Sequence, residues 1–246
     1  KADRAIGGRG LSVRAVFRAG GVEFRGFLAT APGLIVVSFR GSETLLDYLL
    51  DINVQRAAPY PGCDDCRAHS GFLDAWRALN ASVGSAVLAA VADDPGANLI
   101  LTGHSLGGAL ALLAALDLHL VRRIAPTAVY TFGAPRVGNP ALARFYAARA
   151  AAGQWASWRV VHRHDVVPHL PPHDLLAFWL GRFAHAPREV WYDSSADPHG
   201  HTTCAQDDGE DPGCSRGLPF WRLSVKDHYR YLGEAAGDAA CVAAAA

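Results

Sequence analysis

Methionine is absent from the 246-residue sequence, and Lys1-Ala2-Asp3-Arg4 carries no hydrophobic signal core, so the chain reads as a processed or truncated product. An excess of one charge sign is also lacking. Lys plus Arg and Asp plus Glu each number 23, for a formal net charge of zero, which leaves no whole-chain field to hold nucleic acid or an anionic membrane. No apolar run approaches the ~20 residues that span a bilayer; the longest, Ala109 to Leu116, is cut by Asp117. No internal repeat and no Pro/Gly-rich linker interrupts the chain, so a single domain over 1–246 is expected. Hydrophobic residues make up 50% of the sequence, with 6 Trp, enough for a large packed core and too many for a disordered or coiled-coil protein.

Cysteine is scarce: Cys63, Cys66, Cys204, Cys214 and Cys241. Cys63 and Cys66 flank Asp64-Asp65 just after Pro61-Gly62, and Cys204 and Cys214 close a polar loop containing Gly209, Pro212 and Gly213. Each pair suits a short disulfide loop and an oxidising compartment. A redox pair or a zinc site remains an alternative on cysteine type alone. Cys241 is left over.

Strand and helix signals alternate along the chain, which predicts an α/β architecture with a mixed, mostly parallel sheet flanked by helices. Leu11 to Arg18 and Val22 to Thr30 read as strands around a Gly20-Gly21 hairpin signal. Leu34 to Phe39 and Asn98 to Thr102 are apolar enough for strands buried on both faces. Phe72, Leu73, Trp76, Leu79, Val83, Val87 and Val91 recur at helical spacing behind Ser70 as a candidate N-cap, and Asp93-Asp94-Pro95-Gly96 stops them. Ala109 to Leu118 and Pro140 to Ala150 read as helices, and Thr127 to Phe132, Trp158 to His162 and Glu189 to Tyr192 as strands.

Chemistry starts at Gly103-His104-Ser105-Leu106-Gly107, a Gly-x-Ser-x-Gly sequence set between the second buried strand and a helix-prone run. A nucleophilic serine must project from a turn so sharp that neighbouring side chains would clash, and the helix start must face the developing oxyanion. That hydroxyl needs a base oriented by an acid, in the chain order Ser, Asp or Glu, His. Asp165, at the end of the strand Trp158 to Val161, is the best acid by placement. His228, after the short apolar stretch Leu223-Ser224-Val225, is the preferred base. His162, His164, His169 and His173 have the ligand chemistry of a metal site, but Pro168, Pro171 and Pro172 break any helical face, so neither metal nor cofactor is expected. Asp207 to Asp211 lacks the alternation of a calcium loop and reads as solvated.

These segments together resemble the fungal-type class 3 lipase family, whose relatives include feruloyl esterases. The matches are Gly26 to Ala29, Ile35 to Ser42 (IVVSFRGS), His69 to Trp76 (HSGFLDAW), Thr102 to Ala109 (TGHSLGGA), Tyr130 to Pro140 (YTFGAPRVGNP), Asp165 to Pro172 (DVVPHLPP), Glu189 to Tyr192 (EVWY) and His228-Tyr229. The resemblance implies an α/β-hydrolase fold, Ser105 as nucleophile, Asp165 and His228 as its partners, and Ser42 as an oxyanion residue. It also implies a Cys63–Cys66 bridge, and a lost upstream partner for Cys241. In such a site the Leu106 and Ser42 backbone N–H groups would hold the oxyanion.

The stretch after Ser42 bears on the substrate. Leu45, Leu46, Tyr48, Leu49, Leu50 and Ile52 are apolar, while Asp47 and Asp51 share one helical stripe, the pattern of a short amphipathic lid. His104 is a further substrate-contact candidate. A feruloyl esterase would be expected to carry a more polar flap. The expectation is therefore a secreted, extracellular hydrolase of acylglycerol esters that touches a lipid interface transiently, with no integral membrane segment. A soluble-ester esterase and a catalytically dead lipid-binding relative are the alternatives.

Overall fold

The computed structural model describes residues 10–18, 24–41, 55–58, 60–173, 181–193, 200–205, 207 and 209–236. The chain opens with three strands, β1 (Ser12–Arg18), β2 (Arg25–Ala31) and β3 (Leu34–Phe39), paired antiparallel in sequence order. Antiparallel neighbours need only short turns; from β3 onward the connections are long enough for parallel crossovers. A small β4 (Gln55–Ala57) and β5 (Arg67–His69) pair antiparallel before helix α1 (Ser70–Asp93). Then β6 (Asn98–His104), α2 (Leu106–Leu120), β7 (Ala128–Phe132), α3 (Pro140–Gly153), β8 (Ala156–His162) and β9 (Glu189–Tyr192) alternate. β3, β6, β7, β8 and β9 run parallel, and β10 (Thr202–Thr203) closes the far edge antiparallel to β9. The eight-stranded order is β1-β2-β3-β6-β7-β8-β9-β10.

Ile35, Val37 and Phe39 of β3 and Leu99 and Leu101 of β6 are buried in one core with Phe72, Trp76, Leu79, Val83 and Val87 of α1. The alternate residues Leu34, Val36 and Ser38 are half-buried, so the expectation of two fully buried faces is corrected to one fully buried face and one half-covered face. α1 is long and apolar enough to cross a membrane by length and composition. Its apolar stripe is instead spent on the core, each fully buried large side chain contributing about 1.5–3 kcal/mol. The residue before α1 is His69, with no side-chain cap bond, so Ser70 is its first residue and not its N-cap.

α2 is buried on nearly every side and begins at Leu106, three residues earlier than its Ala/Leu run suggests. Positions 107 and 108 of this helix need glycine: a Cβ on Gly107 would lie 2.1 Å from the Phe39 carbonyl oxygen, and one on Gly108 2.7 Å from Ala134 Cβ. Asp117 of α2 sits beside Arg122 at 3.6 Å and accepts from Asn80 of α1 at 3.1 Å, tying the two helices. α3 is capped by Asn139, whose side chain accepts from the Leu142 N–H at 3.0 Å, with Pro140 in the first turn where no N–H is needed.

Disulfides join Cys63 to Cys66 and Cys204 to Cys214; Cys241 lies outside the described residues. The stretch Leu223-Ser224-Val225 is not a strand. Ser224 makes a single parallel bridge to Asp165, and its hydroxyl then accepts from Asp227 N–H at 3.2 Å to cap a helical turn, α4 (Val225–His228). A two-stranded hairpin, β11 (Arg230–Tyr231) and β12 (Glu234–Ala235), follows.

Candidate active site

Three parallel strands end side by side at one edge of the sheet, which is where α/β proteins place their sites. β6 runs directly into Ser105, β7 into Gly133, and β8 leads to Asp165. Ser105 has φ +60° and ψ −128°, a conformation that costs a non-glycine residue on the order of 1–3 kcal/mol. The surroundings enforce it. Ser105 N–H donates to the Phe132 carbonyl at 2.8 Å, Gly108 N–H donates to the Ser105 carbonyl at 2.9 Å, and a Cβ on Gly103 would lie 2.2 Å from the Gly107 carbonyl. Leu106, the first residue of α2, offers one of the N–H groups that a helix leaves unpaired at its start.

Ser105, Asp165 and His228 meet. His228 Nε2 lies 2.8 Å from Ser105 Oγ, and His228 Nδ1 lies 2.8 Å and 3.0 Å from the two Asp165 carboxylate oxygens. The three are 1%, 5% and 0% exposed in the order Ser105, His228, Asp165, so nothing in water competes for these bonds. A buried carboxylate needs donors to replace its lost hydration. Asp165 has two besides His228: Val167 N–H at 2.9 Å on Oδ1 and the Tyr231 hydroxyl on Oδ2. Burial, with the negative charge of Asp165 beside it, holds the Tyr231 phenol well above its ordinary pKa, so it stays a donor.

Two further residues shape this cluster. Gly133 has φ +58°, and a Cβ there would stand 2.8 Å from both Asp165 Oδ2 and the Tyr231 hydroxyl and 3.1 Å from His228 Cε1. His104, a substrate-contact candidate by sequence, lies with its ring centroid 4.4 Å from that of His228 and its Nε2 2.8 Å from the His228 carbonyl oxygen. Burial, and secondarily the nearby His228, lowers its pKa to about 4, so it is neutral near pH 7.

The α4 turn is strapped to the end of β8. Ser224 N–H donates to the His164 carbonyl at 2.7 Å, and His162 Nδ1 meets the Asp227 carbonyl at 3.0 Å. His164 N–H donates to Asp227 Oδ2 at 3.3 Å. The loop after Asp165 is held by Arg136, 2% exposed. One of its terminal nitrogens donates to the His169 and Pro171 carbonyls at 2.6 and 3.0 Å, and the other two nitrogens reach Glu210, each at 2.7 Å. Glu210 is therefore not part of a solvated acidic loop. Burial alone would raise its carboxyl, but the Arg136 bonds and the surrounding positive charge hold it well below the usual carboxylate range. Arg159 and Glu189 form a second buried pair at 2.7 Å.

The four histidines weighed as metal ligands are each hydrogen-bonded: His162 to Asp227, His164 to Arg222, His169 to the Asp165 and Ser215 carbonyls, and His173 to Phe183. Glu189, Cys204 and Cys214 also converge, but both sulfurs are committed to their disulfide. Ser42 and the segment with Leu45, Leu46, Tyr48, Leu49 and Leu50 lie outside the described residues. The neighbouring Gly41 packs against the serine turn, where a Cβ would be 3.0 Å from Ser105 Cβ.

Sequence reasoning missed Tyr231, Gly133 and the Arg136–Glu210 pair. Arg136 and Gly133 lie within Tyr130 to Pro140, where the sequence gives neither a role. Tyr231 stands three residues beyond His228, yet no sequence signal pairs it with Asp165.

The sheet order, the strained serine turn and the hydrogen-bonded Ser105, His228 and Asp165 define a class, the α/β hydrolases. The profile of the family lipase (class 3) matches residues 36–175, more than half of the chain, and the chain belongs to that family. It is 35% identical over 203 residues to the lipase of Rhizomucor miehei, covering 81% of this chain and 52% of that one. With the secreted mono- and diacylglycerol lipase 1 of Fusarium solani it shares 38% identity over 162 residues, 65% of this chain and 44% of that one. Among solved structures, a triacylglycerol lipase whose catalytic centre is described as a serine protease triad superimposes with a TM-score of 0.79 at 32% identity, covering 94% of this chain and 83% of that one. The chain spans about half the length of the curated relatives it matches.

Proposed function

We propose that this chain is a serine hydrolase that cleaves carboxylic esters of acylglycerols at a lipid–water interface. The observation that carries the reading is the unbroken hydrogen-bonded line from Ser105 Oγ through His228 to Asp165, with 2.8 Å on each side of the imidazole. Ser105 donates its proton to His228 Nε2 as its oxygen attacks the ester carbonyl. Asp165 accepts from His228 Nδ1, fixes the tautomer and stabilises the imidazolium. The backbone N–H groups of Leu106 and Ser42 receive the oxyanion, each such donor being worth about 3 kcal/mol in the transition state. The alcohol leaves with the proton held by His228, and water deacylates Ser105 by the reverse relay. No cofactor enters.

Ser105 is 1% exposed, which fits a site that opens to admit its ester. The amphipathic segment Leu45, Leu46, Tyr48, Leu49 and Leu50 is the proposed cover, turning its apolar side to lipid as it opens. Two disulfides and relatives named as secreted support an extracellular, oxidising setting.

Ser105→Ala is expected to abolish hydrolysis of p-nitrophenyl butyrate by the folded chain; residual activity near that of the parent would refute the nucleophile. The substrate class is tested by comparing emulsified tributyrin with methyl ferulate. Faster turnover of methyl ferulate, or a smooth saturation curve through the tributyrin solubility limit, would favour a soluble-ester esterase.

A further inference from the structure

Of the nine large apolar side chains exposed among the described residues, five fall between Phe220 and Leu232. Phe220 is 76% and Trp221 85% exposed, and Val225, Tyr229 and Leu232 are also exposed. The aromatic pair occupies a single turn, Phe220–Arg222, and contributes little to the core. The turn is close to the site: Arg222 Nη2 is 3.1 Å from His164 Nε2, Ser224 bridges to Asp165, and α4 then delivers His228. Phe220 and Trp221 thus stand at the carboxyl edge of the sheet, the edge at which Ser105 projects.

Charge complements the aromatics. Arg222, Lys226 and Arg230 are exposed on the same stretch against one exposed acid, Glu234, while Asp227 is turned inward, 14% exposed, toward Arg163 and His164. A chain with no net charge therefore presents a locally cationic, aromatic surface beside its site. Rings of this kind enter the boundary between polar groups and acyl chains, while cations on long stems remain in water with surface anions. Two large aromatic rings exposed side by side in one turn beside the site are the kind of surface that meets an apolar phase.

We propose that Phe220 and Trp221, rimmed by Arg222, Lys226 and Arg230, dock the protein on lipid surfaces that carry carboxylate charge, independently of the segment around Leu45 to Leu50. The preference for carboxylates rests on the ester-hydrolase reading, since that reaction leaves fatty-acid anions at the interface. Docking would then strengthen as product accumulates.

Co-sedimentation of the Ser105→Ala chain with phosphatidylcholine vesicles, with and without oleate, separates docking from turnover. Tighter binding to oleate vesicles is expected, lowered at least about tenfold by Phe220→Ser/Trp221→Ser. Lys226→Gln should weaken only the oleate-dependent part, about fivefold, and high salt should erase that difference. Trp221→Phe should retain binding and lose the vesicle-induced blue shift of tryptophan emission. Binding unaffected by the double substitution, or equal on both vesicles, overturns the proposal. So does a dimer in gel filtration that the double substitution dissociates, which would make the surface an interface between two copies. With Ser105 intact, hydrolysis of dissolved p-nitrophenyl butyrate should be unchanged by Phe220→Ser/Trp221→Ser; a matching loss overturns a pure docking role. Absence of all hydrolysis in the parent chain would sink the catalytic reading, and vesicle binding is measured separately from it.

Discussion

Tyr231 shows how a side chain with no sequence signature governs a group that has one. Its hydroxyl donates to Asp165 Oδ2, while its ring lies 5.4 Å from His104 and 6.0 Å from Phe132. Tyr231→Phe keeps the ring and removes the donor, so the chain should still fold with its melting temperature lowered by several degrees. A hydrogen bond to a charged group is worth about 1.5–3 kcal/mol, and kcat on p-nitrophenyl butyrate is expected to fall roughly tenfold with KM unchanged, because the phenol touches no substrate. An unchanged kcat would mean that Val167 N–H and His228 hold the carboxylate unaided. Ser105, Asp165 and His228 could be picked out in the sequence because each has a local marker: flanking glycines, a strand end, an apolar stretch near the C-terminus. Gly133 was given no role, and the packing of His104, read from the sequence only as a substrate-contact candidate, was not legible, since their partners lie 32 to 98 and 124 positions away and are reached only through folding.

At the scale of elements, the loop from Asp165 to Pro172 is fixed by the buried Arg136, which bonds two of its carbonyls and clamps Glu210 from the Cys204–Cys214 loop. Removing one partner of a buried ion pair typically costs about 3–5 kcal/mol because the other charge is stranded. Arg136→Gln should therefore lower the urea midpoint sharply and carry activity down with it. Arg136→Gln combined with Glu210→Gln should recover part of the loss, since no buried charge is then left alone; a double variant less stable than the single would contradict the pairing. Strand and helix identities were legible here from periodicity and turn chemistry. The start of α2 was not, because Gly107 and Gly108 are poor helix formers, required there because Phe39 leaves no room for a Cβ at 107 and Ala134 and Thr131 crowd 108. Nor was the short α4, whose capping bond from Asp227 N–H to Ser224 overrides an apolar, strand-like stretch.

For the whole molecule, the buried imidazoles set an acid limit on stability. Burial lowers His69 and His104 to about 4, against about 6.5 unfolded, and pushes His185 down as well. The unfolded chain binds these protons first as pH falls. The stability contributed by the neutral rings is thus complete above about pH 6.5 and lost toward pH 4, on the order of 3 kcal/mol for each of His69 and His104. Burial raises Tyr146 and Tyr231 above their ordinary value of 10, so their contribution is complete below pH 10 and lost as pH rises beyond it. The urea midpoint should therefore form a plateau between roughly pH 6.5 and 10 and fall on either side; equal midpoints at pH 7 and pH 4.5 would contradict the burial of these histidines. By itself the sequence determined the alternation of strands and helices, the serine turn and the order of its partners, because those follow from side-chain volume, periodicity and backbone restriction within a few residues. Only the tertiary structure decided which phenol bonds Asp165, which buried charges pair, and that Phe220 and Trp221 stay outside the core. These are outcomes of distance and burial, and both come into being only when the strand ends are brought together along one edge of the sheet.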